Sequence, residues 1–188
     1  AMLKRLLGKA VRDPRVGAAY TVNGEDEVVA LTDVPQSSIG APTPCMLAAE
    51  RFLSVSFYIE TVDPDWDGTS VRLVTEDSSD EHVATVRFER PIAQFFGPPN
   101  DEAFSGHPLA QRGLRPYGAF EVTSSSWIRT LERMNSVHEH HRSERFRNFR
   151  HFVLSFHDTT FECVAAGYAV NITRGSVREV MTANLGVM

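Results

Sequence analysis

The chain has 188 residues, of which 42% are hydrophobic and 23% are charged, and its formal net charge is −5. This composition excludes an intrinsically disordered chain, and an acidic balance is not the one expected of a nucleic-acid-binding domain. The length suits one domain with a hydrophobic core of its own, so we predict a single domain over residues 1–188.

Two features of the sequence predict a cytoplasmic protein. Cys45 and Cys163 are the only cysteines and lie far apart, which is not the pattern of a disulfide framework. No apolar run is long enough to span a membrane, and residues 3–11 carry basic side chains where a secretory signal would be continuously apolar. We therefore expect no membrane span.

Formal charge is distributed unevenly along the chain. Residues 1–20 carry +4, residues 21–105 carry −12 and residues 106–188 carry +3. Such a division could mark an anion-binding face on an acidic protein, or it could reflect an ordinary variation in surface charge.

The first half of the chain is predicted to form mainly short strands joined by turns. An amphipathic helix over residues 2–11 precedes them, because Leu3, Leu6, Leu7 and Val11 recur at helical spacing. Asn23-Gly24 favours a tight turn, and residues 34–44 form a loop rich in proline. The strands are expected over residues 20–22 and 28–31 (a hairpin), 52–59, and 71–75 with 83–88 (a second hairpin).

Residues 91–118 are predicted to form one long loop, because they hold five of the ten prolines and four of the twelve glycines. Loops of this length are uncommon in compact domains and often carry function. A single helical turn is expected over residues 108–112, with Gly113 at its end.

The second half alternates strands with helices. Strands are predicted over residues 119–123, 151–157 and 161–170, and the longest helix over about residues 126–141, capped by serine hydroxyls. Ser176 and Glu179 form a capping box that opens a last helix towards residue 185. The whole pattern predicts an α+β fold with a predominantly antiparallel sheet, for which barrel-like closure is one form, and about three helices.

Two segments carry residues suited to chemistry. On a strand over residues 151–157, His151, Ser155 and His157 would share one face, with Asp158 directly after them. Glu162 stands in an apolar run, where a carboxylate is costly unless it has a partner. We expect that partner to be a metal, a histidine or an arginine, with Arg147 and Arg150 as the arginines in reach.

The long loop supplies the other group of polar residues. Asp101, Glu102, His107 and Arg112 are of the types that line small-molecule sites, although a rigid, solvent-facing loop has the same composition. Residues 138–152 form a further cluster of four histidines, four arginines and three phenylalanines. That cluster could be a nucleic-acid patch or, as we favour, a salt-bridged connector.

These residues predict a small-molecule-binding domain, which could be a metal- or acid/base-assisted enzyme acting on a polar or anionic substrate. His107 and His157 would act as metal ligands or proton carriers, and Asp158 and Glu162 would orient them. A divalent transition metal would take His107, His157 and Glu162. Arg112 would hold an anionic group of the substrate, with further contacts from Asp101, Glu102 and His151.

The rival prediction is a non-catalytic protein-interaction domain, of the accessory or immunity type, which docks a basic partner on an acidic face. The two predictions differ in geometry. A shared concavity for His107, His157 and Glu162 would favour the enzyme, whereas scattered histidines and a flat acidic face would favour the interaction domain. The sequence contains no Walker loop, dinucleotide-binding glycine motif or Gly-x-Ser-x-Gly nucleophile motif that would add a further class.

Overall fold

The structure, a computed structural model, describes residues 20–61, 67, 69 and 73–186. The predicted helix over residues 2–11 lies outside these ranges. The described residues form nine strands, two α-helices and three short 3-10 helices. The predicted α+β class with antiparallel sheets is confirmed.

The nine strands divide between two antiparallel sheets. In chain order they are β1 (Glu27–Ala30), β2 (Cys45–Ala49), β3 (Phe52–Tyr58), β4 (Glu81–Glu89), β5 (Ala93–Gly97), β6 (Gly118–Thr123), β7 (Arg150–Ser155), β8 (Thr160–Ala165) and β9 (Gly167–Gly175). Sheet I has the order β1-β6-β7-β8-β5, and sheet II has the order β2-β3-β4-β9. The helices are α1 (Ser126–Asn135) and α2 (Val177–Leu185), and the 3-10 helices are Phe104–Gly106, Ala110–Arg112 and Ser143–Asn148.

The main hydrophobic core lies between the two sheets. Because side chains alternate along a strand, Phe152 and Leu154 of β7 point into this core, where Phe152 meets Phe88 of β4 at a centroid distance of 5.8 Å. The opposite face of sheet I is also covered, since Val153 and Val164 belong to a second buried cluster. Every residue of β8 is therefore buried, which accounts for the almost continuous apolar run in this part of the sequence.

The segment between β5 and β6 covers this second face. Phe104, Leu109 and Leu114 insert from it into the cluster that also contains Trp127 of α1. The segment is not the continuous loop that the sequence predicted, because Ala93–Gly97 forms strand β5 and pairs with β8. The predicted helical turn is present as the 3-10 helix Ala110–Arg112, and Gly113 follows it with a positive φ of 98°.

Both predicted hairpins are wrong. Residues 23 and 24 do form a turn, but β1 pairs with β6 rather than with residues 20–22. Asp26 is one reason: its carboxylate accepts hydrogen bonds from the backbone N–H groups of Asn23 and Ser126, which ties this turn to the start of α1. Of the predicted strand over residues 71–75, the described part, residues 73–75, is not a strand, and β4 pairs with β3 and β9.

Helix α1 begins where the sequence predicts and ends six residues earlier. Ser125 caps it by accepting the N–H groups of Trp127 and Ile128. The helix stops at Asn135, because the core that holds Trp127 does not extend below its last turn, where the Met134 side chain is 67% exposed. Helix α2 opens with the predicted capping box of Ser176 and Glu179.

The remaining predicted strands are present with adjusted ends. Strand β7 ends at Ser155, so His157 lies in the turn beyond it, and the predicted strand over residues 161–170 is divided into β8 and β9. Within the described ranges, no helix is both long enough and apolar enough to cross a lipid bilayer.

Candidate functional site

Glu162 is the centre of a buried hydrogen-bonded cluster. Its Oε2 accepts from the Tyr20 hydroxyl at 2.5 Å and lies 2.9 Å from Nε2 of His151, while its Oε1 lies 3.2 Å from Nε2 of His107. Ser125 extends the cluster through a 2.9 Å contact with Nδ1 of His151. We call these five residues the Glu162 cluster. It joins a residue near the start of the described chain to the 3-10 segment, to the start of α1 and to two neighbouring strands.

The sheet register explains why His151 meets Glu162. His151 pairs with Val164, and Glu162 pairs with Val153, so the two side chains are diagonal neighbours on the same face of sheet I. His107 contacts the same carboxylate from the segment that covers this face of sheet I. It follows the 3-10 helix Phe104–Gly106, whose Phe104 is buried in that covering layer.

The hydrogen bonds around His107 and His151 indicate which nitrogen of each imidazole ring carries the donated proton. The backbone N–H of Leu109 donates to Nδ1 of His107 at 3.1 Å, so this nitrogen carries no proton and Nε2–H donates to Glu162. Ser125 Oγ accepts two N–H groups of α1, which directs its own proton to Nδ1 of His151. His151 therefore also donates from Nε2.

Glu162 is thus an ionised carboxylate that accepts from three donors, Tyr20, His107 and His151. Burial alone would raise its pKa, but the hydrogen bonds from His107 and His151 and the electrostatic attraction to these two side chains outweigh burial and lower the pKa to about 2. Burial and the charge of Glu162 raise the pKa of Tyr20 above its usual value, so its hydroxyl stays protonated and donates. In this cluster the Glu162 carboxylate therefore only accepts hydrogen bonds, and the Tyr20 hydroxyl keeps its proton.

A second cluster lies at the turn between β7 and β8. Asp101, Tyr117 and His157, which we call the His157 cluster, are mutually hydrogen bonded. The Tyr117 hydroxyl donates to Oδ2 of Asp101, and Nδ1 of His157 lies 3.1 Å from that oxygen and 2.9 Å from the tyrosine oxygen. Since both neighbours of Nδ1 accept, Nδ1 carries a proton, and in the uncharged form of the ring the free lone pair is on Nε2.

His157 is far more accessible than the histidines of the Glu162 cluster. Its side chain is 43% exposed, and its Nε2 makes no hydrogen bond to any residue that the structure describes. Asp158 Oδ1, at 3.9 Å, is the carboxylate atom beside it. An imidazole oriented by a carboxylate on one nitrogen and open on the other can accept and return a proton.

Three backbone contacts hold this cluster in position. The N–H of Asp101 donates to the His157 carbonyl at 2.9 Å, and the Thr160 hydroxyl donates to the Pro99 carbonyl at 2.9 Å. At the other side, Ser155 Oγ accepts the N–H of Gly118 at 3.1 Å, which fixes the turn that presents Tyr117. Tyr117 has a positive φ of 58°, a conformation that side chains other than glycine adopt at a cost.

The His157 cluster also shifts the pKa values of its acidic members. The hydrogen bond from Tyr117 holds the pKa of the Asp101 carboxyl below its usual value, with the nearby His157 adding to the effect. The same bond to Asp101, together with burial and the carboxylate charge, raises the pKa of Tyr117 to about 12. Asp101 therefore remains an anion beside His157 across the neutral range.

The structure divides the predicted site residues between the two clusters. It brings His107, His151 and Glu162 together in one hydrogen-bonded group, and it brings Asp101 and His157 together in another. No hydrogen bond among the described residues joins the two groups directly, and β7 ends at Ser155, so His157 lies beyond the strand that carries His151. Of the other predicted residues, Asp158 is exposed beside Nε2 of His157, whereas Glu102 is exposed and Arg112 donates to the Gly24 carbonyl at 3.4 Å.

The partner of Glu162 is histidine rather than arginine. Arg150 instead donates from Nε to Glu121 at 2.9 Å, and Arg147 is exposed. No group of three His, Cys, Asp or Glu residues among those described is placed to hold a metal ion. In the Glu162 cluster the imidazole nitrogens are directed at carboxylate oxygens, a serine hydroxyl and a backbone N–H, so they do not converge on a common point.

Three participants were not among the predicted site residues. Tyr20 reaches Glu162 across 142 positions, and no local pattern in the sequence indicates such a contact. Ser125 was expected only as a helix cap, a role it fills while it also contacts His151. Tyr117, between Pro116 and Gly118, has the turn neighbours that could have indicated a constrained aromatic residue.

No protein-family model matches the chain, and searches of curated proteins and of solved structures find no significant match.

Proposed function

We propose that the chain is a small-molecule-binding domain in which His157, oriented by Asp101, exchanges a proton with a polar or anionic ligand. The observation that carries this proposal is the pair of nitrogen environments in His157. Nδ1 is 3.1 Å from the Asp101 carboxylate, whereas Nε2 has no hydrogen-bond partner in the described chain and belongs to a side chain that is 43% exposed. A base needs this combination of orientation and access.

The Glu162 cluster supports this function indirectly. Its residues are buried, so a ligand does not reach His107 or Glu162 without displacing the layer above them. Its role in the proposal is to anchor the segment that carries Asp101 and Tyr117 onto sheet I. His107 and Glu162 are therefore positioning residues in this proposal. Of the two histidines that the sequence predicted as proton carriers, His107 and His157, only His157 keeps that role.

The anionic preference rests on Arg115. Its backbone carbonyl accepts from Ser155 Oγ at 2.7 Å, which places this residue beside the turn that holds His157. Arg115 is exposed, and no carboxylate of the described residues forms an ion pair with it. An exposed arginine that has no ion pair with a described carboxylate, on the segment next to the turn of His157, suits a ligand with a carboxylate or phosphate group.

Reactivity of His157 can be tested with p-nitrophenyl acetate under mildly alkaline conditions, where histidines are neutral. We expect His157→Gln to remove most of the protein-dependent rate, by on the order of tenfold, and Asp101→Asn to lower it less. His140→Gln, at another exposed histidine, is the matched control and should leave the rate unchanged. Equal rates for wild type and His157→Gln would refute the proton-transfer role.

Ligand binding can be tested separately by titrating ¹⁵N-labelled protein with inorganic phosphate and with acetate. The proposal predicts amide shift changes centred on residues 101, 115, 117 and 157, which are lost in Arg115→Gln. Arg51→Gln, at an exposed arginine elsewhere, should bind as the wild type does. Shift changes located away from the His157 cluster would contradict the proposed ligand site.

A further inference from the structure

An apolar groove opens at the far end of α1. It lies between the last turns of that helix, the 3-10 helix Ser143–Asn148 and Ile92, with a volume of about 470 Å³. Leu131, Met134, Phe146 and Phe149 supply most of its wall, and Arg145 stands at its side. We call this feature the α1 groove. It shares no lining residue with the His157 cluster.

The apolar face of α1 continues beyond the part that the protein itself covers. Trp127, in the first turn, is buried against Tyr20. Towards the other end of the helix, Met134 is 67% exposed, and Val137, just after the helix, is 92% exposed. Isolated exposed apolar residues are ordinary, but Met134 lines a preformed groove, which is the usual sign of a binding surface.

The charge around the groove indicates the chemistry of its partner. The segment over residues 142–147 has a formal charge of +2, in a chain whose net charge is −5. Its arginines, Arg142, Arg145 and Arg147, are exposed, and none forms an ion pair with a carboxylate among the described residues. Arg129 and Arg150, by contrast, have internal partners in Glu25 and Glu121.

We propose that the α1 groove binds a short acidic segment of another protein, with apolar side chains in the groove and carboxylates on Arg142, Arg145 and Arg147. An amphipathic helix with glutamates on its polar face meets both requirements, since helix-in-groove binding relies on apolar anchors at i, i+3, i+4 and i+7. Complementary charge would fix its orientation and speed association.

The groove is less suited to nucleic acid. Single-stranded nucleic acids bind by stacking bases on open aromatic faces along a basic track. Phe146 and Phe149 are partly buried and contact each other at a centroid distance of 6.2 Å, and the other apolar residues of the wall, Ile92, Leu131 and Met134, are not aromatic. Glu144 further interrupts the basic segment.

Binding can be measured with a fluorescein-labelled helical peptide that has leucines at i, i+3, i+4 and i+7 and glutamates elsewhere. We expect saturable binding, weakened on the order of tenfold by Arg145→Glu and by Met134→Ser. Arg51→Glu and Ile172→Ser are the matched controls, since they change an exposed arginine and an exposed apolar residue outside the groove. Amide shift changes should lie on α1 and the 3-10 helix.

Three outcomes would overturn the proposal. The first is binding of a peptide with lysines in place of the glutamates as tightly as the acidic one, or binding of neither. The second is tighter binding of oligothymidylate that Arg145→Glu abolishes, which would assign the groove to nucleic acid. The third is self-association in sedimentation velocity that Met134→Ser removes, which would assign it to a second copy of the chain.

Discussion

The backbone N–H of Leu109 donates to Nδ1 of His107 at 3.1 Å, and this contact decides what His107 can do. Because Nδ1 accepts this hydrogen bond, the ring can donate only from Nε2–H, and it donates that hydrogen bond to Glu162. His157 has the opposite arrangement, because Asp101 occupies its Nδ1–H and leaves Nε2 unprotonated. One protein thus uses histidine in two ways, as a buried donor and as an open base.

The first prediction concerns these tautomers. Long-range ¹H–¹⁵N correlation spectra, recorded at a pH where the imidazoles are uncharged, should show the proton on Nε2 for His107 and His151 and on Nδ1 for His157. The exposed His82, whose ring has no hydrogen-bond partner among the described residues, provides the reference for an average of both forms. A proton on Nδ1 of His107 would contradict the hydrogen bond from Leu109.

Removing the charge of Glu162 should destabilise the fold strongly. Glu162→Gln replaces one acceptor oxygen with an NH₂ group that faces hydrogen-bond donors, so we expect a loss of about 3 kcal/mol in the free energy of unfolding. Glu121→Gln, which weakens a more exposed pair with Arg150, should cost about 1 kcal/mol or less. Chemical denaturation followed by circular dichroism measures both, and equal losses for the two variants would show that the Glu162 cluster is not an anchor.

The same carboxylate predicts a pH dependence of stability. The pKa of Glu162 is about 2 in the folded protein, against 4.5 for the free group, so the ionised form favours folding. Its contribution is complete above pH 4.5 and is lost as the pH falls from 4.5 towards 2. The difference in unfolding free energy between wild type and Glu162→Gln should therefore shrink through that range. A difference that stays constant would mean that folding does not lower the pKa of Glu162.

The sequence predicted the parts of this structure that depend on local patterns. Alternation located β3 and β7, and capping residues located the starts of α1 and α2, because each signal lies within a few residues of its effect. Strand pairing failed for β1, whose partner β6 lies about ninety residues further along the chain. The turn at residues 23 and 24 formed without a hairpin, since a turn signal does not determine which strands pair.

The candidate site divides in the same way. An apolar run interrupted by Glu162 predicted that this residue needs a partner, and histidine was one of the alternatives. Which histidines reach it depends on the register of β7 with β8 and on the fold of the covering segment, which are long-range properties. His157 was misplaced because its pattern continues the alternation of β7 by two residues, whereas the strand ends at Ser155.

Tyr117 should control the acidity of Asp101. Its hydroxyl is the largest cause of the lowered pKa of the Asp101 carboxyl, so Tyr117→Phe should raise that pKa while the aromatic ring stays in place. Side-chain ¹³C chemical shifts of Asp101 measured against pH report the change directly. Tyr168→Phe, which removes a hydroxyl bonded to Asp33, is the control and should leave the titration of Asp101 unaltered.

The central claim is that the accessible imidazole lone pair belongs to His157, whereas the rings of His107 and His151 are committed to Glu162. Diethyl pyrocarbonate labelling of the native protein, mapped by peptide mass spectrometry, tests it most directly. We predict that His157 is labelled readily and that His107 and His151 are labelled only after unfolding. Labelling of His107 or His151 in the native protein as fast as His157, or protection of His157, would contradict the claim.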